Sequence, residues 1–310
     1  MSGEIKSIVD EIKESWNYCL QNSPEVFRYM LNISKEKVID GDLKLLIQLN
    51  KDRASKRREA DKFLDIVPKF DNDKFNFTKI DQREILFEKV LLNDIRVSFV
   101  INNSPLTKYH ILIVPQLESC LPQVITKDCI EVALTIMSST EDKAVRIGYN
   151  SPGALASVNH LHVHLVHVEH DLYIENIELK HIASNLYRAY KIPAFCMILK
   201  DIKRDAEMLN AIVKYCCDKV IPHNITLTKS RDLKDVRIFI FPRFLSNFGA
   251  NKLFGSHLNV AFCELSGYIP VGDDELYEKI TESYVLDRFN EEIGAICDDI
   301  ENDLKYIVEN

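Results

Sequence analysis

Asn159-His160-Leu161-His162-Val163-His164-Leu165-Val166 is the stretch that decides how this sequence reads. Alternate side chains of an extended strand share a face. His160, His162 and His164 therefore project together, and Leu161, Val163 and Leu165 pack the opposite side. A strand over 158–168 is expected. Three imidazoles on one face can hold a metal, move protons or supply a nucleophile. A metal site would want a carboxylate or cysteine partner, and the adjacent Glu169 has the wrong parity. Imidazole suits attack on phosphorus, because it is neutral and nucleophilic near neutral pH. His162 is central, with His160 and His164 placed to orient its ring and stabilise phosphoryl oxygens. A backbone carbonyl accepting from Nδ1 would leave Nε2 free to attack.

Immediately upstream, 145–149 reads as a strand and 150–153 as a turn. Asn150, Ser151 and the backbone at Gly153 are thus placed to offset charge on a phosphate. Further out, 97–102 and 111–115 form an expected hairpin around Asn103, Ser104 and Pro105. Residues 44–50 read as a short apolar strand, followed by the basic run Lys51, Arg53, Lys56, Arg57 and Arg58. Helical spacing marks 4–30, 130–138, 206–220 and 274–308. Strands are expected at 194–199, 225–228, 236–241 and 260–265. The sum is an α+β fold, a mostly antiparallel sheet with helices packed on it. A strand, a polar turn and a strand ending in proline occur twice, at 97–115 and 225–242, which hints at two related halves.

With 310 residues, 46% apolar and 28% charged, the chain has an ordinary globular composition and length for a sizeable core. Its net charge of −8 supplies no global basic field for nucleic acid. Residues 1–20 lack the continuous apolar core of a signal peptide, and no stretch approaches the roughly 18 apolar residues of a membrane span. The eight cysteines contain no C-x-x-C pair, which argues against a zinc ribbon and fits free thiols in a reducing cytoplasm. Nine glycines are too few to suggest a phosphate site built on a glycine-rich loop. No metal, cofactor, nucleic acid or membrane is expected.

Other residues carry two readings each. Arg53, Lys56, Arg57 and Arg58 are either a solvated charged loop or captors of a diphosphate or incoming phosphate, with Arg suited to bidentate contact. Lys79 is similar. Asn76 and Phe75 could hold a guanine, or Phe75 could be core packing. Glu264, in an apolar run, could accept from guanine N1 and N2 or pair with a buried arginine.

At the triad the sequence resembles the histidine triad superfamily, whose pattern is His-x-His-x-His followed by apolar residues. The longer run G-Y-N-S-P-G-A-L-A-S-V-N-H-L-H-V-H, 148–164, is similar to the signature of the GDP-D-glucose phosphorylases. So are Q-L-N at 48–50, F-N-F-T-K-I at 75–80, N-N-S-P-L at 102–106, H-I-L-I-V-P at 110–115, L-P-Q at 121–123 and N-V-A-F-C-E-L-S-G-Y-I-P at 259–270. The plant GDP-L-galactose phosphorylases are similar but more distant. The resemblance implies that GDP-glucose and inorganic phosphate give GDP and glucose 1-phosphate through a guanylylated His162. It covers Asn50 and Arg53. It also implies a catalytic half, 1–170, and a degenerate half, 171–310, in which His181, His223 and His257 have no His-x-His neighbour. GDP-hexose and phosphate are the implied partners, and a homodimer stays open. Tyr109 stands where the family places Gly, and Leu165-Val166-His167 where it shows Gly-Tyr-Tyr. His164 occupies a position that is Gln in many transferases of the superfamily. A nucleotide hydrolase and an inactive nucleotide-binding relative therefore remain as alternatives.

Overall fold

Residues 7–92, 94–244 and 258–310 are described by the computed structural model. Glu4 and His257 lie outside them. The first helix, α1 (Ile8–Asn22), is capped by the Ser7 hydroxyl, which accepts from the Asp10 amide. It ends well before residue 30 because Pro24 opens a 3-10 turn, and the residue before a proline resists helical geometry. Two short strands, β1 (Lys35–Val38) and β2 (Leu46–Leu49), then pair antiparallel. Helix α2 (Lys51–Lys56) follows at once, so the basic run is largely helical.

Two copies of one topology build the main sheet. In the first half, β3 (Ile85–Leu91), β4 (Ile95–Ile101) and β5 (Ile111–Pro115) form a meander, α3 (Lys127–Ser139) crosses over, and β6 (Val145–Asn150) and β7 (Val163–His167) return. The second half repeats this with β8 (Lys180–Ala183), β9 (Leu186–Ala189), β10 (Ala194–Ile198), α4 (Ile202–Asp218), β11 (His223–Lys229) and β12 (Val236–Pro242). The spatial order is β3-β4-β5-β7-β6-β11-β12-β10-β9-β8, with every pair antiparallel. The halves join where β6 meets β11, with Asn150 opposite Asn224. The duplication hinted at by the sequence is present in the topology, but 97–115 is β4–β5 and 225–242 is β11–β12. The true counterpart of β4–β5 is β9–β10.

The expected strand over 158–168 is shorter than its alternation suggests, because β7 begins only at Val163. His160 and His162 precede it. The β6–β7 register of Val145↔His167 and Gly148↔His164 would bring Asn150 opposite His162, but the ladder stops first. There the Gln123 side chain accepts the His162 N–H and donates to the carbonyls of both Asn150 and His162. The expected strand over 260–265 is also corrected. After 258–261 the backbone turns into the short helix α5 (Phe262–Leu265), with the Glu264 carboxylate accepting from the Ala261 amide as a cap. Strand β13 (Tyr268–Val271) then pairs parallel to β2, which brings the C-terminal segment back to α2. Gly272 permits that approach, since a Cβ there would lie 2.2 Å from the Ala54 Cβ. The expected C-terminal helix is three helices, α6 (Asp274–Lys279), α7 (Glu282–Glu292) and α8 (Ile296–Glu309). Thr281 caps α7, and Gly294 takes a positive φ after it. Among the described residues no helix is long and apolar enough to cross a membrane.

The stretch between β7 and β8, where the division at 170/171 falls, is pinned from both halves. Arg146 of β6 is fully buried, donates to the carbonyls of Ala144 (2.6 Å), Val168 and His170 (3.1 Å), and pairs with buried Glu175. From the other side, Arg237 of β12 donates to the carbonyls of Ile174 and Ile177. Arg146→Met should strand the Glu175 carboxylate in the core and cost about 3–5 kcal/mol of unfolding free energy in urea titration. Adding Glu175→Leu should return much of that loss, because the pair is then replaced by apolar packing.

Candidate active site

His164 lies on β7 between Leu112 of β5 and Gly148 of β6. Leu161, Val163 and Leu165 pack into the core, as the alternation requires. The His162 and His164 rings stand 5.0 Å apart, and Phe77 touches both His160 and His162. Nδ1 of His162 is 2.7 Å from the His160 carbonyl. A carbonyl can only accept, so Nδ1 carries the proton and Nε2 is left with a bare lone pair. Burial is the main cause that holds His162 down to about 4; the hydrogen bond to the His160 carbonyl opposes it, and the charges of the His160 ring and Arg58 add to it. The ring is therefore neutral at physiological pH. His160 accepts the Phe77 N–H at Nδ1 (3.1 Å), and burial lowers it to about 4 as well.

A fourth histidine completes the group, and sequence reasoning gave it no role. The Leu106 N–H donates to Nδ1 of His110 (3.0 Å). His110 Nε2 stands 3.1 Å from both His164 Nδ1 and the Asn102 amide nitrogen. It can donate to the first or accept from the second, and the Leu106 contact selects the donating tautomer. His164 in turn carries its proton on Nε2. Burial keeps both rings well below the usual histidine range. Phe262 was missed too. Its ring stacks on His164, with centroids 5.3 Å apart, and covers Gly148 so closely that a Cβ there would lie 1.9 Å from it.

The arginines of the basic run surround these rings. Asn50 caps α2 by accepting the Arg53 N–H (3.0 Å), and the Arg53 guanidinium donates to the Ser104 carbonyl. Its charge acts on His110, His164 and Glu264. Arg58 donates to the Ser157 carbonyl and to Asp61 (3.1 Å), lies over the Phe75 ring, and acts on His162. Burial and the neighbouring Arg53 lower Arg57 to about 9. A cavity of about 540 Å³ opens here, lined by His110, His164, Arg53, Arg57, Asn150 and Glu264 among others. That volume suits a ligand of nucleotide-sugar size.

Asn50 and Gly153 also line the cavity. The Asn150 side chain faces its wall but is engaged, accepting from Asn224 (2.6 Å) and from the Phe262 N–H (3.1 Å). Glu264 is buried, and burial raises it to about 7 against the opposing charges of Arg53 and Arg243. Of the expected residues, His160 and His162 are buried and are not part of the cavity lining, and three more sit elsewhere. Ser151 accepts the His223 N–H (2.8 Å) inside the seam between the halves. Asn76 caps the 3-10 turn at Thr78 and so aims the Phe77 N–H at His160. Lys79 is exposed and ties off its own loop through the Lys74 carbonyl (2.7 Å).

The model of the GDPGP1-like N-terminal domain matches residues 9–166, and that of the GDPGP1-like C-terminal domain matches 175–293. The chain belongs to the GDPGP1-like family. GDP-D-glucose phosphorylase 1 of Danio rerio is 34% identical over 84% of this chain and 80% of that protein. The protein of the same name from Xenopus laevis is 30% identical over 84% and 78%. GDP-L-galactose phosphorylase 2 of Arabidopsis thaliana is 29% identical over 83% and 66%. Among solved structures, the yeast Ap4A phosphorylase Apa2 in complex with Ap4A superposes with a TM-score of 0.67 at 16% identity, over 93% of this chain and 97% of that one. That likeness establishes the fold. For a member of the GDPGP1-like family, the neutral histidines have a measurable consequence for stability. His110, His160, His162, His164 and His223 are all held by burial below the ordinary histidine value of about 6.5. Depressed folded values mean that the unfolded chain binds more protons as pH falls from 6.5 toward 4. Their contribution is full above pH 6.5 and is lost below it. Unfolding free energy should fall by up to about 1.4 kcal/mol per pH unit per histidine in that window. Glu264 has the opposite sign. Its raised value means stability present below about 4.5 and lost as pH rises to about 7. Glu264→Gln keeps the cap to Ala261 and should raise stability at pH 8, as measured by urea unfolding.

Proposed function

We propose that this chain is a GDP-hexose phosphorylase that works through a guanylylated His162. The observation that carries the reading is the bare Nε2 of a neutral, tautomer-fixed His162 on which Arg58 acts, beside His164 in the wall of a cavity that Arg53, Arg57 and Arg58 also line. The names of the relatives supply the substrate class. In the first step the Nε2 lone pair attacks the α-phosphorus of GDP-glucose. The bond from that phosphorus to the bridging oxygen breaks, and glucose 1-phosphate departs with the electron pair. Inorganic phosphate then attacks the same phosphorus, the P–N bond breaks, and GDP leaves with the imidazole restored. His164, with its proton on Nε2, donates to a phosphoryl oxygen, and the arginines offset the charge gathered there. Glu264 in its anionic form accepts from guanine N1 and N2. Arg53 takes the incoming phosphate.

Purified protein given GDP-glucose should release GDP only when phosphate is added. GMP as the product would instead mean hydrolysis. Without phosphate, wild type should gain the mass of one guanylyl group, and His162→Ala should lose both the adduct and turnover, by on the order of a thousandfold or more.

The two substrates make separate demands on Arg53. GDP-glucose is also held through its base and sugar, whereas phosphate has only charge-assisted contacts to hold it. Arg53→Gln should raise the KM for phosphate about tenfold or more and leave that for GDP-glucose nearly unchanged. An unchanged phosphate requirement would return Arg53 to a role in capping the loop at Ser104.

A further inference from the structure

We infer that Gln123 is a positioning residue that holds the nucleophile's backbone off the sheet and thereby sets the tautomer of His162. This rests on the reading of His162 as the nucleophile. Gln123 is fully buried, and its amide is fully used. Oε1 accepts the His162 N–H (2.9 Å), while Nε2 donates to the carbonyls of His162 (3.1 Å) and Asn150 (3.1 Å). Its own backbone is held as firmly. The Gln123 N–H donates to Asn159 Oδ1 (3.0 Å), and the Tyr149 hydroxyl donates to its carbonyl (2.9 Å). One residue back, the Leu161 N–H bonds the Leu121 carbonyl (2.8 Å). The segment before β7 is therefore paired to residues 121–123 and not to β6.

The placement of that amide is what gives it a role. Asn150 and His162 are the residues that the β6–β7 register would set opposite each other. Gln123 stands between them and satisfies both. In a regular ladder the carbonyl two residues before a histidine lies in the sheet plane and bonds the neighbouring strand. It is then unavailable to that histidine's ring. Released from the ladder, the His160 carbonyl turns to Nδ1 of His162 at 2.7 Å. That contact places the proton on Nδ1 and the lone pair on Nε2. A primary amide is the side chain that can do this, because it presents an acceptor oxygen and a two-donor nitrogen on one planar group.

The test uses the full chain with 15N-labelled histidine and two substitutions. Gln123→Met keeps the length and removes the hydrogen bonds. NMR should show wild-type His162 protonated at Nδ1 and the Met variant as a mixture of tautomers. The same variant should lose kcat by about a hundredfold while the KM for GDP-glucose moves less than roughly threefold, since misplacement of the nucleophile acts on chemistry and not on substrate binding. Gln123→Glu supplies the second arm and decides the matter if the Met variant does not fold. Its protonated carboxyl can accept the His162 N–H and donate once, whereas the ionised form faces two carbonyls. Its rate relative to wild type should rise as pH falls from about 8.5 to about 6. A folded Met variant with the wild-type tautomer or with near wild-type kcat would overturn the inference. So would a Glu variant that follows the wild-type pH profile. If wild type does not turn over GDP-glucose, the proposed function fails while the tautomer comparison still decides the role of Gln123.

Discussion

Neutral imidazole rings packed beside guanidinium groups are the constraint on which this structure depends. Arg53 acts on His110 and His164 and Arg58 acts on His162, so a protonated ring would be repelled by its neighbouring guanidinium. Burial removes the conflict by making the charged form of each ring costly. The same desolvation raises Glu264 to about 7 and lowers Arg57 to about 9. The cavity is thus poised for an anion. A phosphate entering it would favour the charged form of Arg57 and leave the histidines unprotonated only if its own charge is taken up by the arginines.

The fold supplies that environment by bringing distant segments together. Parallel pairing of β13 with β2 sets Glu264 and Phe262 beside Arg53, across more than half of the sequence. The antiparallel seam of β6 and β11 sets Asn224 against Asn150, whose side chain in turn holds the Phe262 N–H. Phe262 can then lie on Gly148 and stack on His164. No one of these contacts is local, and each fixes a wall of the cavity relative to His164.

That non-locality explains what was legible in the sequence. Period-two alternation at 160–165 identified the apolar set Leu161, Val163 and Leu165 that packs into the core, although the strand itself covers only 163–167. The hairpin of β4 and β5 was legible because its signal is local. The end of β7 was not, because the Gln123 side chain, and not a property of 158–162, terminates the ladder. His110 escaped notice because its partner on β7 is set by a register the sequence does not state. Glu264 was placed in a strand on its apolar neighbours, whereas the backbone turn made by its cap to Ala261 prevails. Asn150 and Ser151 were expected to face the substrate, and their polar groups instead hold the seam between halves. The substrate class was legible only through resemblance, since no spacing of residues here specifies a guanine or a hexose.

The second half repeats the topology without a His-x-His-x-His run, and its structure shows what it contributes to the cavity. Its counterpart of β7 is β12, V-R-I-F-I-F-P, whose residues are mostly buried. At its end Arg243 donates to Asn224 (3.0 Å) and to the Val260 carbonyl and pairs with Glu292 of α7 (2.7 Å), which Arg288 also holds (2.8 Å). Buried ion pairs of this kind contribute little net stability, because desolvation offsets the attraction. They do fix orientation. Here they fasten α7 and residues 258–262 to the sheet, so that Phe262 meets His164 at a set distance. The half without a triad thus supports one wall of the cavity, and the other half supplies His110 and His164 to the same cavity.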